Sequence, residues 1–251
     1  MDSYQSLSAQ VYNFDKPIGK SFGDLEYYQS RLLNNASQIL EPAVGTGRIM
    51  IPLLQQGYNI QGFDLSKEML SYCEENLQAV NLPTNIIQQA SFTNFNYDQA
   101  FDAIIIPSGT FLLMTDYDEI KLALQKFYAA LNPNGKLIFD LFFQNNFQLG
   151  RTNIKTFTLS AVEKITLTMT ESHIDYAHQV ATYIHRYEHW VNNQLTTTEL
   201  ETFRLKWLGI EEIQLLLKEA GFTEITISAD YQHKKVVTNE TEIFTVEAYR
   251  L

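Results

Sequence analysis

Apolar residues fall along this chain in short continuous runs, separated by polar turns and alternating with segments of helical period. Gln38 to Leu40, Asn59 to Asp64, Asn85 to Gln89 and Phe101 to Pro107 are runs of this kind. Continuous rather than alternating apolar character is what strands buried on both faces show. Between them, residues 47–56 and 66–79 read as helices. Met69, Leu70, Cys73 and Leu77 share one face of the second, and Ser66 stands at its N-cap. A helix over 116–131 starts at an Asp and stops before Asn132-Pro133-Asn134-Gly135, a turn that feeds a strand over 136–142. Strands and helices in this alternation predict a doubly wound, Rossmann-like α/β fold.

The pattern changes near Gly150. From Lys155 to Lys206 the chain is rich in Thr, Ile, Val, Tyr and Phe in short alternating runs, which predicts an antiparallel β insertion of about three to five strands. Val191-Asn192-Asn193-Gln194-Leu195 reads as a hairpin turn inside it. Helical period returns from Gly209 to Ala220 and stops at Gly221. Two strands close the chain, Thr223 to Asp230 and Glu242 to Leu251. Ahead of the first strand, Tyr4, Tyr12, Phe22, Tyr27, Tyr28, Leu32 and Leu33 supply the apolar face of a helical cap. The expected organisation is a cap over 1–37, a core over 38–154 and 207–251, and an insertion over 155–206.

Composition narrows the class. The chain has 251 residues, 45% of them apolar, which is ordinary for a globular protein. No apolar run reaches the length of a bilayer span, and Met1-Asp2-Ser3-Tyr4-Gln5 lacks the features of a secretory signal. A single cysteine, Cys73, allows no internal disulfide, and these points together predict a cytoplasmic protein. The net charge is −11 and the basic residues are scattered, the closest cluster being Lys234-Lys235. Proteins that grip a phosphate backbone carry basic patches. The expectation is a protein without nucleic-acid or membrane partners, monomeric or homodimeric.

The most informative chemistry lies in Ile39-Leu40-Glu41-Pro42-Ala43-Val44-Gly45-Thr46-Gly47-Arg48: a strand, an acid at its end, and a glycine loop opening a helix. Glycines admit close approach of backbone amides to a ligand, and a helix N-terminus favours negative charge. A dinucleotide loop needs a third small residue, and Met50 occupies that position. The lysine and hydroxyl of a P-loop are missing too, since Gly47 is followed by Arg48-Ile49. Glu41 before the glycines suits a cationic group such as an amino-acid ammonium. Asp64, ending the second strand, suits a ribose diol. A ligand with both features is S-adenosylmethionine.

With these residues the chain resembles the class I S-adenosylmethionine-dependent methyltransferases, in a bacterial small-molecule branch whose acceptors commonly lack assignment. Strand-acid-x-G-x-G-x-G is the first motif of that family, with Ala43 here in place of the first glycine. Gly62 to Leu70, Phe101 to Ser108 and Leu131 to Asp140 continue the likeness in family order, and Tyr12 to Tyr28 resembles the branch. The resemblance implies a seven-stranded sheet of order 3-2-1-4-5-7-6, with the insertion after strand five over the carboxyl edge. It implies a cofactor site at Glu41, Ala43, Gly45, Gly47, Arg48, Asp64, Leu65 and Met69, with S-adenosylhomocysteine as product; Tyr12 and Tyr28 either join that site beside the sulfonium or pack the cap onto the core. Ser91 replaces the acid that holds the adenine amino group in the family. Phe92 flanks the adenine or fills core, and Pro107 sits beside the reactive methyl.

On the acceptor side the expected positions are Ser108, Thr110 and Phe111 after strand four, and Tyr187, Arg204 and Trp207 in the insertion. Glu199, Glu201 and Phe203 are further candidates there. Strand alternation puts Tyr183, His185, Tyr187 and His189 on one face and Arg186, Glu188 and Trp190 on the other. The acceptor's proton goes to His185 or simply to water, and no sequence signal selects between them. His185 and His189 lack a third ligand at telling spacing, so no metal is expected. The Asn/Asp-Pro-Pro-Tyr/Phe motif of methyltransferases acting on bases or glutamine side chains is absent. The reading is N- or O-methylation of a small molecule. The alternatives are a protein or RNA methyltransferase, or a non-catalytic S-adenosylmethionine-binding regulator.

Overall fold

In the computed structural model, which describes residues 4–32 and 37–251, two sheets share the chain. Two helices come first, α1 (Ser6–Asp15) and α2 (Asp24–Arg31). The core then runs β1 (Gln38–Pro42), α3 (Met50–Gln55), β2 (Asn59–Asp64), α4 (Lys67–Ala79), β3 (Ile87–Gln89), β4 (Phe101–Ile106), α5 (Tyr117–Ala130) and β5 (Leu131–Phe142). A second sheet follows: β6 (Thr152–Thr158), β7 (Glu163–Asp175), β8 (Val180–Val191) and β9 (Gln194–Lys206). The chain returns through α6 (Ile210–Glu219) to β10 (Thr223–Ala229) and β11 (Ile243–Tyr249).

The larger sheet has seven strands in the order β10-β11-β5-β4-β1-β2-β3. Counting core strands alone, this is the expected 3-2-1-4-5-7-6. β1 to β5 pair in parallel, and β11 lies antiparallel to both β5 and β10. Successive side chains divide between its two faces. Leu40, Ile104, Ile106, Leu137 and Phe139 pack with α5 and α6 on one side. Ile39, Ala103, Ile105 and Ile138 pack with α2, α3 and α4 on the other. Burying one such side chain fully contributes about 1.5–3 kcal/mol, which is why the continuous apolar runs become central strands. The third strand is shorter than its pattern suggests, Ile87–Gln89 rather than Asn85–Gln89, as befits an edge with one neighbour. The first core helix starts at Met50 rather than at residue 47, because Gly45 and Gly47 keep positive φ angles of 59° and 87°.

Local signals end the helices where the pattern puts them. Ser66 caps α4, its hydroxyl accepting the Met69 amide at 3.1 Å. Asp116 caps α5 by accepting the amides of Asp118 and Glu119.

The inserted sheet is antiparallel throughout, in the order β6-β7-β8-β9. Asn192 and Asn193, with φ of 51° and 60°, form the two-residue turn between β8 and β9. Its inner face is covered by α1: Leu7 and Val11 pack against Phe157, Ile165, Leu167 and Tyr187. The cap thus belongs to both sheets, for Asn76 of α4 also bonds Asn13 at 3.0 Å. Leu33, expected in the cap's apolar face, lies outside the described residues. Among the described residues no helix is long and apolar enough to cross a membrane.

Candidate functional site

A cavity of about 730 Å³ opens at the carboxyl edge of the seven-stranded sheet, where open α/β sheets bind ligands. One wall is the glycine loop, through Ala43 and Gly45. This loop lies tight against β2 because Gly62 has no side chain: a Cβ there would stand 2.7 Å from Met50 and 2.9 Å from Val44. Ala43 takes φ 54°, the left-handed conformation for which glycine is the usual residue.

Asp64 forms the next part of the wall. One carboxylate oxygen accepts the Gly45 amide and the other the Ser66 amide, both at 2.9 Å. Burial raises its pKa and the backbone amides oppose the shift. Two oxygens with one donor each retain acceptor capacity toward the cavity. Leu65 and Met69 continue the lining, followed by Ser91, Phe92 and Thr110 from the segments after β3 and β4. Phe92 lies between the cavity and the core. It lines the cavity and meets the core rings of Phe63 and Phe127 edge-on, at 6.2 and 5.6 Å. The Ser91 hydroxyl is engaged locally, accepting the Thr93 amide at 3.3 Å.

The cavity is roofed by the N-terminal segment. Tyr4, Gln5, Ser6 and Tyr12 line it, with Glu199 from β9. The segment is latched from two sides. The Tyr4 amide donates to Glu201 at 2.8 Å and the Leu7 amide to Glu199 at 2.9 Å, while the Ser66 hydroxyl donates to the Tyr4 carbonyl at 2.9 Å. Sequence reasoning missed Tyr4, Gln5 and Ser6 as lining residues. Their role depends on acids 192 and 197 positions away, and no local signal announces that docking. Leu113, Met114 and Glu119 were missed as well, and they follow β4 without a motif.

Several expected site residues lie behind the wall. Glu41 is 2% exposed, its Oε2 has no hydrogen-bond partner, and burial pushes its pKa from 4.5 up to about 8. Thr46 Oγ1 and Arg48 Nε are likewise buried without partners, so three orphaned polar atoms gather at the glycine loop. Gly47 packs against Ile51 and Cys73. Arg48 is not exposed to the cavity. Its guanidinium grips buried Asp24 through both terminal nitrogens and donates to the Ser108 hydroxyl at 2.8 Å. Tyr28 is fully buried and donates to Asp140 and to the Ile106 carbonyl at 3.2 Å. It anchors the cap to the sheet instead of facing the cavity.

Ser108 belongs to the same support, and the Pro107 carbonyl accepts the Thr110 hydroxyl at 2.7 Å. Ser108 has φ 65° and its amide donates to Asp140 at 2.8 Å. Asp140 also accepts the Tyr231 hydroxyl at 2.6 Å, and burial lifts its pKa to about 6. Gly109 follows at φ 64°, and a Cβ there would stand 2.2 Å from the Phe142 ring. Phe111 is fully buried against Phe139.

In the inserted sheet, Tyr187 faces inward and is buried. Arg204 is exposed on the outward face and lines neither cavity, and Trp207 meets Tyr176 away from both. These two positions do not join the site, because the inward face of β9 is the one bearing Glu199, Glu201 and Phe203. His189 bonds Glu163 at 2.8 Å, and its four-residue separation from His185 along a strand spans about 13 Å, too far for a shared ion. Among the described residues no group of three or more metal-ligating side chains gathers.

Residues 39–135 match the family described as a methyltransferase domain. The chain is 23% identical over 216 residues to YqeM of Bacillus subtilis (strain 168), a methyltransferase by provisional assignment; the match covers 84% of each chain. It is 33% identical over 122 residues to a glycine/sarcosine N-methyltransferase of Halorhodospira halochloris, covering 48% of this chain and 45% of that one. Among solved structures it shares the fold of an S-adenosylmethionine-dependent methyltransferase from Clostridium acetobutylicum ATCC 824. That likeness has a TM-score of 0.77 at 19% identity and covers 96% of both chains. The sugar N-methyltransferase KedS8 from Streptoalloteichus sp ATCC 53650 also has a TM-score of 0.77, at 18% identity, covering 100% of this chain and 95% of that one.

Proposed function

Since the chain belongs to the class I S-adenosylmethionine-dependent methyltransferases, we propose that it methylates a nitrogen or oxygen of a small molecule. The observation that carries this reading is the cavity at the carboxyl edge, with Gly45, Asp64 and Phe92 in its wall and the N-terminal segment over it. A roof over the cofactor cavity suits a small acceptor rather than a polymer. The net charge of −11 supports a small molecule over a nucleic acid. KedS8 and the glycine/sarcosine enzyme, named for small acceptors, point the same way.

The residues fit the cofactor. Asp64 keeps acceptor capacity for a ribose diol, and the Phe92 ring supplies an apolar flank for a base. Glu41 supplies a buried carboxyl with an unpartnered oxygen behind the loop. The cofactor, when bound, supplies a methyl group activated by its sulfonium. The protein's part is then positioning, desolvation and charge. Tyr12 places an aromatic face in the cavity wall, where attraction to a cation is available. The Arg48–Ser108–Asp140 chain fixes the turn after β4, so that Thr110 holds its place in the lining.

Isothermal titration tests the first half of this reading. S-adenosylmethionine and S-adenosylhomocysteine should bind and NAD should not, since Met50 fills the position of the third glycine. NAD binding without a response to either adenosyl ligand refutes it. Transfer of labelled methyl from the cofactor into a pool of small metabolites tests the second half.

A further inference from the structure

A second cavity, of about 130 Å³, lies between α1 and the inner face of the inserted sheet. Tyr4 and Tyr12 line both cavities, so the smaller one abuts the larger across those two rings. Glu201 lies in its lining, 5% exposed. Its carboxylate accepts the Tyr4 amide on one oxygen and the Tyr187 hydroxyl, at 3.3 Å, on the other. His185 Nδ1 stands 3.8 Å from that second oxygen, and the imidazole stacks on Phe203 with centroids 4.9 Å apart. A carboxylate set among aromatic rings is a receptor for an organic cation. Lys16 and Lys155 also line the cavity, and no ion pair is formed by either among the described residues. The Lys16 ammonium rests 4.6 Å from the centre of the Tyr12 ring.

We propose that this cavity takes the methyl acceptor, and that the acceptor is an amine that also carries a carboxylate or phosphate. The amine meets Glu201 and His185, and the anionic group meets Lys16 and Lys155. This rests on the methyltransferase reading above. An alcohol can give a carboxylate one hydrogen bond, whereas an ammonium adds charge attraction to the carboxylate and to the surrounding ring faces. The ammonium gives one proton to the unprotonated nitrogen of His185, and Glu201 stabilises the imidazolium. The freed lone pair attacks the methyl carbon, and the carbon–sulfur bond breaks with its electron pair left on sulfur. The products are an N-methylated amine in its protonated form and a thioether. The imidazolium then returns its proton to solvent.

The other titratable groups facing His185 do not compete for this role near neutral pH. Burial pushes the phenols of Tyr4, Tyr12 and Tyr187 upward, so they stay protonated. Asp15 completes the acidic lining of the cavity.

The test supplies the whole protein with methyl-labelled cofactor and a pool of small metabolites, and identifies products by mass. The expected product is N-methylated and bears a carboxylate or phosphate. An O-methylated product, or an N-methylated one without an anionic group, overturns the proposal and leaves the methyltransferase reading standing. No product from protein that binds the cofactor overturns both. With the acceptor in hand, His185→Asn should lower kcat by about tenfold or more at pH 7. Most of the loss should return near pH 10, where amines shed their proton unaided. An equal deficit at both pH values makes His185 structural and overturns its assignment. Lys16→Met should raise KM by roughly fivefold with little change in kcat, the mark of lost uniform binding; an unchanged KM removes Lys16 from the anion site.

Discussion

Along the edge of the seven-stranded sheet, the cavity wall at the glycine loop is shaped by backbone conformation. Ala43 and Gly45 hold left-handed conformations there, and Asp64 is fixed by two amides. Along the inserted sheet the groups facing inward are side chains: Glu199, Glu201, His185, Tyr187 and Phe203, presented by regular alternation on β8 and β9. A wall of backbone tolerates few residue types at each position, because conformation itself selects them. A wall of side chains on a regular strand accepts any residue that keeps the pairing. The first arrangement preserves one ligand, and the second permits the ligand to change.

The comparison can be broken most severely at Gly109. Its φ of 64° and the 2.2 Å approach to Phe142 leave no room for a Cβ. Gly109→Ala should cost about 2–4 kcal/mol, from left-handed strain and displacement of the ring. Denaturant unfolding measures this, and a loss under 1 kcal/mol would show that the turn after β4 repacks easily.

Asp64→Ala should leave the fold intact and weaken cofactor binding by about ten- to a hundredfold, or roughly 1.5–3 kcal/mol, the worth of hydrogen bonds to a charged acceptor. Titration calorimetry decides it. Unchanged affinity would make Asp64 only a support for the loop.

Glu41 sharpens the comparison through pH. Burial lifts its pKa to about 8, so the native chain holds a proton that the unfolded chain has released. The stability so gained is complete below the ordinary carboxyl pKa and is lost as pH rises through about 8. Between pH 5 and 8 its share of the decline should approach about 1.4 kcal/mol per pH unit. Glu41→Gln should flatten that slope, and parallel stability curves for the two proteins would refute the buried acid.

Arg204→Ala is the smallest change. Exposed on the outward face of β9, it should alter stability by less than about 0.5 kcal/mol and leave turnover as it was. A clear loss of turnover would mean that the outward face of the inserted sheet also meets the acceptor.

The same contrast explains what was legible beforehand. Continuous apolar runs, the caps Ser66 and Asp116, and the glycine loop are local signals, and they yielded the core strands, the helices and part of the cavity wall; the strand order came with the family resemblance. Alternation on β8 and β9 told which residues share a face. It could not tell which face looks inward, since register is set by what α1 covers. Arg204 was grouped with Glu201 although residues three apart on a strand point oppositely. Arg48 was misplaced, and Tyr28 left open between packing and ligand contact, for another reason. A buried ion pair with Asp24 and a phenol bonded to Asp140 are long-range partnerships, and their residues carry the same letters as ligand-binding ones.

The docking of the N-terminal segment on Glu199 and Glu201 has a bearing on inheritance. The inserted sheet leaves the core near Thr152 and rejoins it after Lys206, which invites the thought that it could be transplanted between relatives as one cassette. The latches forbid that. The amides of Tyr4 and Leu7 are held by acids of the cassette, and Leu7 and Val11 fill its inner face. A donor sheet grafted alone would arrive without the helix that closes it. The unit of exchange is two separated stretches of chain, α1 with its leading residues and the four inserted strands, so recombination must keep both together to hand on a working specificity.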